Sequence, residues 1–200
     1  MHRLLLSLVV GSAGLVSVAS AEPSPGEVEV SSVAFKLVRP AAGGEAWLEA
    51  DVEVNARPGP ESPGRMLSRV RVVLILATEV TPAEGAKRTE FYRSAAEAVA
   101  LGGGRSHVRF YLPPEIVRRD AVRGEPRQWA AEAFVDGRAQ AVARARFAGS
   151  LGTSELRRNF VQEADAARIN DGVLQPQYLT PFAAEYPNAT PTFVRREAVD

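Results

Sequence analysis

Residue types that could do chemistry are scarce in this chain. Its 200 residues include no cysteine and two histidines, His2 and His107. A Ser-His-Asp site would have to use His107, and no Gly-x-Ser-x-Gly elbow accompanies it. Zinc of the usual kind needs clustered histidine or cysteine, and the sequence has no such cluster. The Asp-x-Asp-x-Asp-Gly calcium loop is missing too. Any two carboxylates could meet in space as a glycosidase pair, but no spacing selects one. Gly102-Gly103-Gly104 lacks the lysine and following helix of a phosphate cradle and reads as a strand connection. Asn188-Ala189-Thr190 fits the glycosylation sequon, a pattern common by chance. This inventory predicts a protein that is not an enzyme and holds no metal or cofactor.

The first 21 residues say where the chain works. Arg3 is followed by the apolar run Leu4 to Val10, and the segment ends in Ala19-Ser20-Ala21, the small-x-small pattern of signal peptidase sites. Gly11, Ser12 and Gly14 break the run short of the roughly 20 apolar residues of a membrane span. We therefore expect residues 1–21 to be a cleaved signal peptide. The exported chain would start at Glu22, in the periplasm or on the outer surface of a bacterium, with no transmembrane span left. Removing Arg3 leaves 23 Lys and Arg against 24 Asp and Glu. Such an even balance gives no global field to attract nucleic acid or an anionic membrane. Without disulfides, the exported domain must rely on its hydrophobic core.

The elements that would position any site are strands. Val28 and Val30, then Val33, Phe35 and Leu37, alternate with a one-residue slip at Ser31-Ser32, which predicts a β-bulge. Leu48, Ala50, Val52 and Val54 alternate with Glu49, Asp51 and Glu53, the pattern of a strand with one wet face. Between Ser68 and Val80, Arg69 and Arg71 give way to Val73 and Ile75, so the far half should be covered on both faces. Thr89–Leu101 mixes helix-favouring alanines with strand-favouring Phe91, Tyr92 and Val99 and stays open. Arg105–Leu112 is a strand, and Pro114 can start a helical turn after it. Asp136-Gly137 suits a type I′ hairpin between 129–135 and 139–147. In the second arm Ala141, Ala143, Ala145 and Phe147 would face inward. The pattern predicts an all-β, immunoglobulin-like antiparallel sandwich of about seven strands over residues 22–149. If the second and fifth strands are neighbours, Glu49, Asp51 and Glu53 should face Arg105, His107 and Arg109.

Residues 150–200 differ in character. Thr153 can cap a helix from Ser154 to about Ile169, with Leu156, Phe160, Ala164 and Ala167 on a narrow stripe. The Pro-punctuated segment beyond it carries Tyr178, Phe182 and Tyr186. A disordered tail would be poorer in aromatics, so this one should pack on something. Leu156, Phe160, Tyr178, Phe182 and Tyr186 are the candidate partner-binding residues, whether the partner is another envelope protein, a second copy, or the chain's own sandwich. Arg69, Arg71, Arg144 and Arg146 are a candidate charged face for an acidic partner.

Phe110-Tyr111-Leu112-Pro113-Pro114-Glu115-Ile116-Val117, followed by Gly124-Glu125-Pro126, resembles a group of secreted immunoglobulin-like proteins of verrucomicrobial bacteria. Their genes lie beside type IV pilus assembly components. The resemblance covers residues 27–148 and implies a structural or assembly role linked to pili, with no binding residues to carry over. The leading expectation is thus a non-catalytic envelope protein acting through protein–protein contact, an accessory of a type IV pilus-like or secretion assembly. The alternative is a carbohydrate- or peptide-binding sandwich that uses Tyr92, Tyr111 or Trp129 as an exposed platform.

Overall fold

The computed structural model describes residues 27–81 and 85–195. The expected signal peptide and its cleavage site lie outside the described residues. Two antiparallel sheets face each other. The first has the order β1 (Val28–Val38), β2 (Trp47–Ala56), β5 (Gly104–Leu112) and β9 (Gln175–Pro176). In the second, β4 (Arg88–Gly102), β3 (Met66–Val80), β6 (Gln128–Val135) and β7 (Arg138–Ala139) follow in order, and β8 (Arg146–Phe147) also pairs with β6. Two helices, α1 (Pro114–Arg119) and α2 (Ser154–Ala166), complete the main elements. This is the expected all-β sandwich. Its fourth strand lies beside the third instead of the fifth, an immunoglobulin-like order with one strand switched.

The alternating apolar rows meet between the sheets. Val52, Val54, Val108 and Phe110 from the first sheet pack with Val72, Leu74, Leu76, Ala96, Ala98 and Ala133 from the second. Trp129 lies in this core, 5.6 Å from the ring of Phe35. The β1–β2 register slips between Val30 and Ser32, at the expected bulge. Residues 88–102 are one long strand: pairing with β3 from Val80↔Arg88 to Met66↔Gly102 overrides the helical preference of the alanines. Gly104, at φ +105°, lets the chain pass from β4 in one sheet to β5 in the other.

The outer face of β3 is covered at its far half, as the loss of its arginines predicted. Val73, Ile75, Ala77, Phe91 and Ala130 form a second cluster with Phe160 and Ala164 of α2. Thr153 caps this helix, its hydroxyl accepting from the Leu156 amide at 3.2 Å. The helix stops at Ala166, earlier than the stripe suggested, and Leu156 is 46% exposed.

The second hairpin arm departs from expectation. Asp136 and Gly137 have φ of 48° and 78°, the positive pair a type I′ turn requires. The ladder nonetheless breaks after Ala139, Val142–Arg144 is a 3-10 turn, and pairing with β6 resumes only at Arg146–Phe147. Ala141 and Ala143 are exposed, and Ala145 and Phe147 half-buried, so the inward row does not form. Alanine fits a pleated sheet weakly, and the segment instead closes the side of the sandwich against β1. Val28 N–H donates to Gln140 Oε1 at 3.2 Å, and Arg146 Nε donates to the Ser31 carbonyl at 3.1 Å.

Phe160→Ala should cost about 3–5 kcal/mol in urea unfolding because it opens a cavity under α2. Leu156→Ala, on the exposed side of the same helix, should stay within about 0.5 kcal/mol.

Candidate interaction surfaces

The outward residues of β2 and β5 meet as the charge pattern suggested. The register sets Glu53 against His107, Asp51 against Arg109 and Glu49 against Tyr111. Asp51 lies 2.9 Å from His107 Nδ1 and 3.0 Å from Arg109 Nη2. Glu53 lies farther from the bases, 3.9 Å from Arg105 and 4.0 Å from His107 Nε2, and accepts instead from the Ser31 hydroxyl at 2.6 Å. The wet face expected of β2 stops short of Glu49, whose side chain has no exposed surface.

The C-terminal segment does the covering. Beyond α2 it pairs Gln175 with Tyr111 and Pro176 with Phe110 on β5. It then lays Phe182 flat on Tyr111, with ring centroids 4.3 Å apart, and edge-on to Trp47 at 5.8 Å. A buried carboxylate is tolerable only when paired and hydrogen-bonded. Here the Tyr111 hydroxyl donates to Glu49 Oε2 at 2.8 Å, and the Lys36 ammonium sits 2.9 Å from Oε1. Burial first, then Glu49, push the Tyr111 hydroxyl far above the ordinary tyrosine range, so it remains a donor. The hydrogen bond to Glu49 likewise raises the Lys36 pKa.

Polar contacts hold the rest of the strap. Tyr186 lies over the Arg109 guanidinium at 4.1 Å. Buried Gln177 donates to the carbonyls of Phe182 (3.0 Å) and Glu185 (2.7 Å) and accepts from Thr190 (3.2 Å). The chain then reaches the second sheet. Val99 N–H donates to the Thr192 carbonyl, and Val194 N–H donates to the Glu97 carbonyl.

A second buried carboxylate, Asp120, lies at the end of α1. It accepts from Thr78 at 2.8 Å, from Arg119 Nε at 2.6 Å and from the Tyr92 hydroxyl. Burial first, with Asp120 adding, raises the Tyr92 pKa. This knot ties α1 to β3 and β4 and floors an open cleft of about 490 Å³ lined by Glu79, Arg123, Glu125 and Arg127. The cleft carries both signs of charge. Among the described residues, no group of three or more His, Cys, Asp or Glu side chains is placed to hold a metal.

The candidate residues divide. Phe160 and Phe182 are 4% and 0% exposed, packed by their own chain and closed to a partner. Tyr186 is half-buried over Arg109, and Tyr178 lies half-buried 5.4 Å from Phe193. Leu156 stays exposed. The arginine face splits. Arg69 pairs with Glu97 at 2.8 Å, and Arg71 stacks on Phe134 at 4.5 Å. Arg144 and Arg146 follow the broken hairpin arm to Glu29, at 3.9 and 3.7 Å. The carbohydrate platform fails on geometry, since Tyr92 and Tyr111 are fully buried and Trp129 is 7% exposed.

Two candidates from different sets, Arg71 and Tyr178, meet in one groove of about 350 Å³ on the outer side of the second sheet. Val73, Arg93 and Ala95 line it from the sheet, and Leu174 and Leu179 from the strap. At one end Asn170 caps the Phe91 carbonyl at 3.1 Å, and at the other Thr192 and Val194 pair with β4. Among the described residues, no backbone bond joins the strap to Arg93, Ser94 or Ala95 between them. Leu179 and Ile169 nearby are 63% and 89% exposed.

No family model matches the chain, and no curated protein is significantly similar to it. A crystal structure of a protein from Akkermansia muciniphila, a verrucomicrobial bacterium, matches with a TM-score of 0.64 at 15% identity. The match covers 85% of this chain and 94% of that one. At this identity the likeness is one of fold. To that extent it agrees with the verrucomicrobial resemblance read from the sequence.

Glu132, paired with Val73 across β6 and β3, supplies a pH test of this face. Burial, and secondarily Asp165, raise its pKa against the opposing pull of Arg93. The native state therefore binds this proton more tightly than the unfolded chain, and stability is lost as pH rises from the ordinary glutamate range through the raised value. Glu132→Gln should raise the Tm at pH 7, with the gain vanishing near pH 4.

Proposed function

We propose that the protein is a non-catalytic, exported module of a bacterial envelope that holds an extended segment of another envelope protein. The groove between the strap and the outer face of the second sheet is where it would do so. The observation carrying this reading is the interrupted cover of β4. A short stretch of strand edge at Arg93–Ala95 is flanked by apolar walls and by Arg71, whose guanidinium rests on Phe134. An extended peptide added to such an edge gains main-chain hydrogen bonds, while side pockets select its residues. Exposed Leu179 and Ile169 are the kind of apolar surface a partner would cover.

Two sequence features give the reading its setting. The leader at residues 1–21 supports export to the periplasm or outer surface. No helix among the described residues is long and apolar enough to cross a membrane. The segments Phe110–Val117 and Gly124–Pro126 carry the resemblance behind the finer form of the proposal, an accessory of a type IV pilus-like or secretion assembly. The thin catalytic inventory supports a binding protein over an enzyme. His107 and Asp51 are occupied with each other, with Arg109 on the same carboxylate.

A photo-crosslinking residue in place of Leu179, in the full chain expressed in its own host, should trap a discrete envelope protein. The adduct should vanish when Arg71→Glu is added and be absent when the probe replaces exposed Glu155. No adduct, or one equally strong at Glu155 and indifferent to Arg71, would contradict the proposal.

A further inference from the structure

β1 carries a second, separate surface. One side of the strand pairs with β2, and the start of its other side is closed by Gln140 at Val28 and Arg146 at Ser31. Past the bulge, among the described residues, no hydrogen bond reaches the outer edge of the regular stretch Ser32–Val38. Soluble proteins usually guard such edges with lysine, proline or a bulge. Here the bulge sits at the closed end, and the lysine of the stretch is turned away. Lys36 Nζ lies 2.9 Å from Glu49 and 5.7 Å from the centre of the Tyr186 ring, so its charge is drawn back across the sheet. The inward row along the edge is apolar: Val33 and Phe35 are half-buried, and Leu37 is 44% exposed.

We infer that this edge pairs with the same edge of a second copy, antiparallel about a twofold axis at Phe35. The midpoint of the free stretch Ser32–Val38 is Phe35, so this register uses all of it. Phe35 then opposes itself, Val33 opposes Leu37, and Ala34 opposes Lys36, on matching faces as the pleat requires. Each opposed pair is apolar or uncharged on at least one side, whereas a twofold at Lys36 would oppose two lysines. A symmetric interface must be self-complementary in this way. Two copies would share one continuous sheet and cover Leu37.

Sedimentation of the processed chain should show a concentration-dependent dimer. Ala34 is exposed, so a longer side chain can point into solvent there. Ala34→Lys places like charges opposite each other twice and should weaken the dimer about tenfold, whereas Ala34→Glu should preserve or tighten it. Thermal unfolding of both variants checks that the monomer fold is intact. A chain that stays monomeric up to its solubility limit, or a dimer indifferent to both substitutions, would overturn the inference. Arg71→Glu, in the groove of the other sheet, should leave the dimer unchanged, so the two surfaces can fail separately.

Discussion

The buried carboxylate of Glu49 imposes a condition that the rest of the molecule meets. It lies on the outward face of the first sheet, where a charged group normally stays in water. It is dry because Phe182 stacks on Tyr111 beside it, and it is tolerated because the Tyr111 hydroxyl and the Lys36 ammonium both reach it. Removing the Tyr111 hydroxyl would leave the buried carboxylate short of a donor, whereas the half-exposed Lys36 is screened by solvent and its loss should cost less. The C-terminal strap is therefore part of the fold. It covers the outer face of one sheet, fills the open side with Leu174 and reaches the edge of the other sheet.

This economy of contacts shapes what is left for function. Aromatics that could have made a ligand platform are inside, and the acidic and basic residues on β2 and β5 neutralise one another. Among the described residues, Arg93–Ala95 of β4 within the groove and Ser32–Val38 of β1 have no backbone partner on their outer edges. Each presents backbone hydrogen-bonding groups beside apolar side chains, a chemistry suited to protein strands and poorly suited to small polar substrates. The Asp120 knot has the geometry of a brace, with all three of its donors coming from structural elements around α1.

Local chemistry was legible in the sequence. The bulge at Ser31-Ser32, the Asp136-Gly137 turn, the Thr153 cap and the double cover of Val73 and Ile75 each follow from neighbouring residues. The pairing of Asp51 with His107 and Arg109 followed from alternation once the second and fifth strands were placed side by side. Features set by distant parts of the chain were hidden. Alanines 141, 143 and 145 alternate like a strand, but contacts with β1 decide their path. Glu49 looks wet until Phe182 covers it. One signal could have been read: Tyr111, an aromatic on the outward face of β5, had to be covered by something. The groove joins Arg71 to Tyr178 through the route of the strap, which no periodicity encodes.

Hydrogen exchange on the chain from residue 22 onward tests the central claim that the strap is part of the fold. The amides of Thr180, Ala183, Glu185 and Val194, each bonded to a backbone carbonyl, should be protected and should open together with the β5 amides. Exchange of these amides at unprotected rates, with β5 still protected, would contradict the account and return the tail to the status of a free interaction segment.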